Sequence, residues 1–86
     1  MKYYVYILEC KDRTLYTGYT NDLEKRVLAH NNLKTGARYT KARRPVKLVY
    51  SEVYKAKSKS LKREIEIKKM TRKEKLDTIK KSKISK

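Results

Sequence analysis

Four residues separate two strand-like stretches near the N-terminus, and so short a link lets them pair only as an antiparallel hairpin. Tyr3 to Glu9 (YYVYILE) and Thr14 to Tyr19 (TLYTGY) are rich in β-branched and aromatic residues, whereas Cys10 to Arg13 has the charge and turn propensity of a loop. Gly18, near the end of the second strand, marks a place where backbone or ligand comes close. Asn21-Asp22-Leu23-Glu24 then reads as a helix start, with Asn21 as the cap and Glu24 completing the capping pattern. That helix is expected to reach about Asn32 with Leu23, Val27 and Leu28 toward the core. Leu33 to Pro45 is a polar, basic connection, and Val46 to Val53 is a third strand with Val46, Leu48 and Tyr50 alternating onto one face. From Lys55 the period is helical, and Leu61 and Ile65 form a narrow apolar stripe. Thr71 and Glu74 make a capping box that opens a last helix from Arg72 to about Lys80, with Leu76 and Ile79 inward. The order β-β-α-β-α-α is an α+β fold, a small three-stranded antiparallel sheet flanked by helices. Residues 1–80 form the single expected domain, and Lys81 to Lys86 (KSKISK) reads as a frayed basic tail.

A chain of 86 residues makes one domain with a thin core, because it buries only about 60% of the surface it exposes when unfolded. There is no Phe or Trp, so eight Tyr supply all the aromatic surface, each with a hydroxyl that needs a partner if buried. Lys and Arg number 25 against 9 Asp and Glu, a net charge of +16 that draws polyanions. Residues 55–86 alone hold 14 basic and 4 acidic side chains. No apolar run approaches the roughly 20 residues of a spanning helix, which disfavours a membrane partner. Met1-Lys2 leads into the first strand without the apolar stretch of a secretory signal, and one lone Cys10 fits a reducing compartment. The cytoplasm is the expected address and a monomer the expected state.

The side chains that could carry chemistry are polar residues set into core-building elements. Tyr6 and Tyr16 lie on neighbouring strands, Arg26 and His30 share one helix face four residues apart, and Glu64 sits near the inward stripe of a later helix. Each has an ordinary reading by itself. Strand tyrosines pack, a helical His is often a satisfied core residue, Arg26 is one of 25 cations, and Glu64 can pair with Lys68. Spacing alone leaves a catalytic set and a set of packing residues both open.

The order of these residues resembles the GIY-YIG nuclease superfamily, in particular its small stand-alone bacterial members. Tyr4-Val5-Tyr6 stands in the GIY position and Tyr16-Thr17-Gly18 in the YIG position. Arg26 and His30 match the Arg and the His or Tyr that follow on the first helix, and Glu64 resembles the metal-binding Glu of a later one. The stretch Arg43 to Tyr50 (RRPVKLVY) is similar to the stand-alone members as well. The similarity runs from Tyr3 to about Ile79. Tyr4 replaces the Gly of GIY, and no Asn occurs after Asn32 where larger members carry one.

The resemblance implies a metal-dependent endonuclease that hydrolyses phosphodiester bonds in nucleic acid, with DNA the expected substrate and no small-molecule cofactor. Glu64 is expected to hold one Mg²⁺ (or Mn²⁺), Arg26 to clamp the scissile phosphate, and Tyr16 to orient phosphate or water. Tyr6 is expected to take the proton from water with His30 tuning or relaying it, which requires that nearby positive charge lower its pKa from about 10. Phosphate contacts are expected from Arg38, Lys41, Arg43, Arg44, Lys62, Arg63, Lys68 and Lys69. A non-catalytic nucleic-acid-binding module on the same fold is the alternative, and a basic adaptor for an acidic partner is a third reading.

Overall fold

A computed structural model describes residues 1–32 and 38–84, with side chains described for 1–31 and 40–82. The elements are β1 (Tyr3–Glu9), β2 (Leu15–Thr20), α1 (Leu23–Asn32), a single-turn α2 (Arg38–Lys41), β3 (Lys47–Tyr54), α3 (Lys57–Lys68) and α4 (Arg72–Ile84). The sheet order is β2-β1-β3, with β1 antiparallel to both neighbours. The expected α+β order therefore holds, with α2 as an added turn inside the basic connection.

β1 is central, and its apolar run follows from that position. Val5 to Leu8 are all buried because both faces of the strand are covered. On one face Val5 and Ile7 pack with Ile67 of α3 and Ile79 of α4. On the other, Tyr6, Leu8, Cys10 and Val46 pack with Leu23 and Val27 of α1. In the hairpin loop, Arg13 adopts φ 71°, while Asp12 Oδ1 accepts from the Thr14 amide at 3.1 Å.

Several local expectations are corrected. α1 is capped by Asp22, whose Oδ1 accepts from the Lys25 amide at 3.1 Å, rather than by Asn21. Leu28 lies outside the core at 54% exposure. At the start of β3, Val46 (just before the strand), Leu48 and Tyr50 do not share a face. Ile7 pairs with Tyr50 and Leu8 with Leu48, so Val49 is an extra residue, and this bulge carries Tyr50 to the opposite side of the sheet. Leu76 is also exposed, although Ile79 is buried as expected. α4 opens on the expected reciprocal cap, Thr71 amide to Glu74 Oε1 at 2.9 Å and Glu74 amide to Thr71 Oγ1 at 3.2 Å. It continues to Ile84, beyond the expected end at Lys80.

The largest correction is the face of α3. Ile65 is exposed, and the inward side is Ser60, Arg63, Glu64 and Ile67 with Leu61 half-buried at its edge, so Ile67 is its one fully buried apolar member. The acceptor on the sheet explains the choice. Glu52 on β3 takes Arg63 Nε at 3.0 Å on Oε1 and Nη2 at 3.0 Å on Oε2, and it also accepts from the Tyr50 and Tyr54 hydroxyls. Burial by itself raises the Glu52 carboxyl. The hydrogen bonds from Arg63, Tyr50 and Tyr54 overcome that and hold it below its ordinary 4.5.

A depressed carboxyl pKa stabilises the fold above the unfolded value and loses that contribution as pH falls through the folded one. Glu52→Gln is therefore expected to cost about 2 kcal/mol in urea unfolding at pH 7, because it leaves half-buried Arg63 with only the exposed Glu66 as its anion. The gap between wild type and variant should shrink well below pH 4.5.

Candidate active site

Tyr6 and Tyr16 meet because the hairpin register places them diagonally on one face, with Tyr6 opposite Gly18 and Leu8 opposite Tyr16. Gly18 has no side chain for a reason visible in the structure. A Cβ there would stand 2.5 Å from the Tyr6 hydroxyl oxygen and 2.7 Å from Cζ, so the phenol tip lies over the bare glycine backbone. The close approach expected of this glycine is made by a side chain of the protein itself.

α1 presents His30 to the two rings. His30 is fully buried, with its ring centroid 5.1 Å from Tyr16 and 5.8 Å from Tyr6. Its Nε2 is 2.8 Å from the Tyr6 hydroxyl, and its Nδ1 is 2.8 Å from Thr40 Oγ1 of α2. Arg26, one turn earlier, and Glu64 lie close enough to act on the Tyr6 phenol, Arg26 in the direction that lowers its pKa and Glu64 in the direction that raises it. Glu64 is only 16% exposed, and its Oε2 lies 3.4 Å from Lys68 Nζ. Tyr6, Tyr16 and His30 are thus in direct contact, and Arg26 and Glu64 are near enough for their charges to be felt at the Tyr6 phenol.

The electrostatics depart from expectation. Burial dominates at Tyr6 and pushes it up to about 12, with Tyr16 and Glu64 adding to the rise. The hydrogen bond and charge of Arg26 act in the lowering direction, as the base role requires, but they are outweighed. His30 is pushed the other way, to about 4, first by burial and then by the charges of Arg26 and Arg44. Both groups are neutral at pH 7.

The model of the GIY-YIG catalytic domain matches residues 2–77. The chain belongs to the GIY-YIG family. It is similar to the UPF0213 protein SSP2268 of Staphylococcus saprophyticus, at 58% identity over 78 residues covering 91% of this chain and 94% of that one. It is also similar to the UPF0213 protein of Syntrophus aciditrophicus, at 62% identity over 79 residues, 92% of this chain and 91% of the relative. Two solved solution structures share the fold. The UPF0213 protein BH0048 of Bacillus halodurans matches at TM-score 0.61 and 40% identity, covering 93% of this chain and 84% of that one. The protein EF2693 of E. faecalis matches at TM-score 0.67 and 38% identity, covering 98% and 88%.

Around this GIY-YIG site the expected phosphate-contacting cations divide. Lys41, Lys62 and Lys69 are exposed, and Lys68 faces Glu64. Arg43 pairs with Asp12 at 3.0 Å. Arg44 donates to the carbonyls of Ala29 and His30, capping the end of α1, and Arg63 is held by Glu52 and Glu66. The side chain of Arg38 lies outside the described residues. Sequence reasoning missed Thr40 and also Asn31, whose amide bridges the backbone N–H and C=O of Val46. Neither residue carries a periodic or motif signal.

Gly18→Ala is expected to lower stability by about 1–3 kcal/mol, because the added Cβ displaces the buried Tyr6 tip. Denaturant unfolding measures the loss, and a neutral result would mean the phenol moves freely. His30 adds a pH signature. A His whose pKa is 6.5 unfolded and about 4 folded makes stability fall as pH drops through that window, since only the unfolded chain takes up the proton. The pH dependence of unfolding should flatten between those values in His30→Gln.

Proposed function

We propose that this protein is a divalent-metal-dependent endonuclease that hydrolyses phosphodiester bonds in nucleic acid, with DNA as the favoured substrate. The observation that carries the reading is the buried contact of the Tyr6 hydroxyl with His30, within electrostatic reach of Arg26 and of the Glu64 carboxylate. Among the described residues no three His, Cys, Asp or Glu side chains cluster into a cage. A single recessed carboxylate still suits Mg²⁺ or Mn²⁺, hard ions that complete their shell with waters and substrate phosphate oxygens. Glu64 would hold such an ion, which would supply Lewis-acid stabilisation of the charge that grows on the phosphoryl oxygens.

The chain's own residues account for the remaining steps. The Arg26 guanidinium grips the scissile phosphate with its planar fork. The Tyr6 oxygen takes a proton from the attacking water while its own proton passes to His30 Nε2, 2.8 Å away. The new P–O bond forms as the P–O ester bond breaks, and the leaving oxygen draws its proton from solvent. Tyr16, in edge contact with His30, borders the same space. Exposed Lys41, Lys62 and Lys69, within a chain of net charge +16, hold the backbone without reading sequence. Among the described residues no helix is long and apolar enough to cross a membrane.

One observation favours a second reading, a binding module without cleavage: the Tyr6 phenol at about 12 is a poor base when it acts alone. Incubating the protein with duplex, single-stranded, flapped and branched substrates, with and without Mg²⁺ or Mn²⁺, separates the two. Glu64→Gln is expected to reduce cleavage by roughly two to three orders of magnitude and leave binding intact or tighter. Glu66 lies about 200° further round α3 and is exposed, so Glu66→Gln should cleave normally. Undiminished metal-dependent cleavage by Glu64→Gln would overturn the assignment.

A further inference from the structure

His30 is held between two buried hydroxyls. Nε2 faces Tyr6 at 2.8 Å and Nδ1 faces Thr40 at 2.8 Å, and all three side chains are at most 1% exposed. A neutral imidazole has one N–H and one lone pair, so one hydroxyl must donate to the ring and the other must accept from it. Arg26 favours one direction. Its guanidinium is a donor only and acts on the Tyr6 hydroxyl in the sense that lowers its pKa, so the oxygen turns a lone pair toward Arg26 and the buried phenolic proton needs an acceptor of its own. The Nε2 lone pair is within reach of that proton. Nδ1 then carries the ring proton and donates it to Thr40 Oγ1.

We infer that Thr40 is a positioning residue of this site: by accepting the Nδ1 proton of His30 it secures the tautomer that keeps Nε2 as the acceptor for the Tyr6 proton. The hydrogen bond on one imidazole nitrogen fixes the chemistry of the other. Thr suits the task because its β-branched side chain is stiff at χ1 and holds Oγ1 in one direction. The segment bearing Thr40 is itself tied to the same turn of α1, since Arg44 donates to the carbonyls of Ala29 and His30. The His30 ring is thereby held from its Nδ1 side by the chain segment that follows α1. The consequence for cleavage rests on the nuclease reading above, whereas the tautomer itself does not.

The chain contains one histidine, so a long-range ¹H–¹⁵N spectrum of the imidazole reports on His30 alone. At pH 7 the wild type is expected to show Nδ1 protonated and Nε2 bare. Thr40→Ser keeps an oxygen and should keep that pattern. Thr40→Val removes the acceptor and should move the proton to Nε2, with kcat for metal-dependent cleavage falling by about 10- to 100-fold and KM little changed. A wild-type ring protonated on Nε2, or a Val variant that retains the Nδ1 proton, overturns the inference. Should the Val variant fail to fold, the wild-type and Ser spectra still decide it. The expected tautomers in a protein that cleaves nothing would support the role of Thr40 and sink the nuclease reading instead.

Discussion

The grip of Arg63 on Glu52 is the interaction on which the rest of the site depends. α3 offers the sheet one fully buried apolar residue, Ile67, and this alone does not fix how the helix is rotated. The bidentate hydrogen bonds between α3 and β3 do. Because Glu64 follows Arg63, turning Arg63 onto Glu52 also turns Glu64 inward by the geometry of a helix. Rolling α3 to bury Ile65 beside Leu61 would gain apolar contact but strand the Glu52 carboxylate and carry Glu64 away from Tyr6. The charged arrangement gives up some hydrophobic burial for a defined orientation.

The same economy of means recurs across the fold. Four arginines act as internal connectors: Arg43 on Asp12, Arg44 on the last carbonyls of α1, Arg63 on Glu52 and Arg72 on the Arg13 carbonyl at 2.6 Å. A chain with so thin a core gains order from directional bonds, and guanidinium forks supply several donors each. Placing cations against carbonyls and carboxylates also reduces the self-repulsion of a +16 chain. The exposed positive charge left for a polyanion is carried largely by lysines.

Features set by neighbouring residues were legible in the sequence, and features set by distant ones were not. β1 could be read because a strand covered on both faces must be apolar without a break. The Thr71–Glu74 box could be read because both partners lie within one turn. Asn21 and Asp22 are both competent caps, so only the geometry of the chain entering α1 separates them. The bulge at Val49 depends on pairing with β1, and nothing in β3 itself announces it. The inward face of α3 is invisible to an apolar pattern, because its decisive partner is on another element. The five site residues emerged through family resemblance, since their spacing alone left a packing role equally open. Thr40 belongs to the class that pattern cannot find: an isolated hydroxyl in a basic stretch, placed by the turn of the chain after α1.

Burial shifts Tyr6 and His30 in opposite directions for one reason, since the charged form of the first is an anion and of the second a cation. Both are therefore neutral, and the fold avoids burying an isolated charge between them. This bears on how a phenol near 12 can serve in the proposed reaction. In a relay that begins at water and ends at His30, Tyr6 regains the proton it passes on, so its own pKa drops out of the net change. The basicity of His30 then sets the driving force, and Arg26 is among the charges that hold it low. A phosphate gripped by Arg26 would offset that positive charge and bring in negative charge of its own. Both effects raise the pKa of His30. Substrate binding would thus improve the proton acceptor at the moment it is needed, while burial and the neighbouring arginines otherwise keep the ring neutral in a strongly cationic protein.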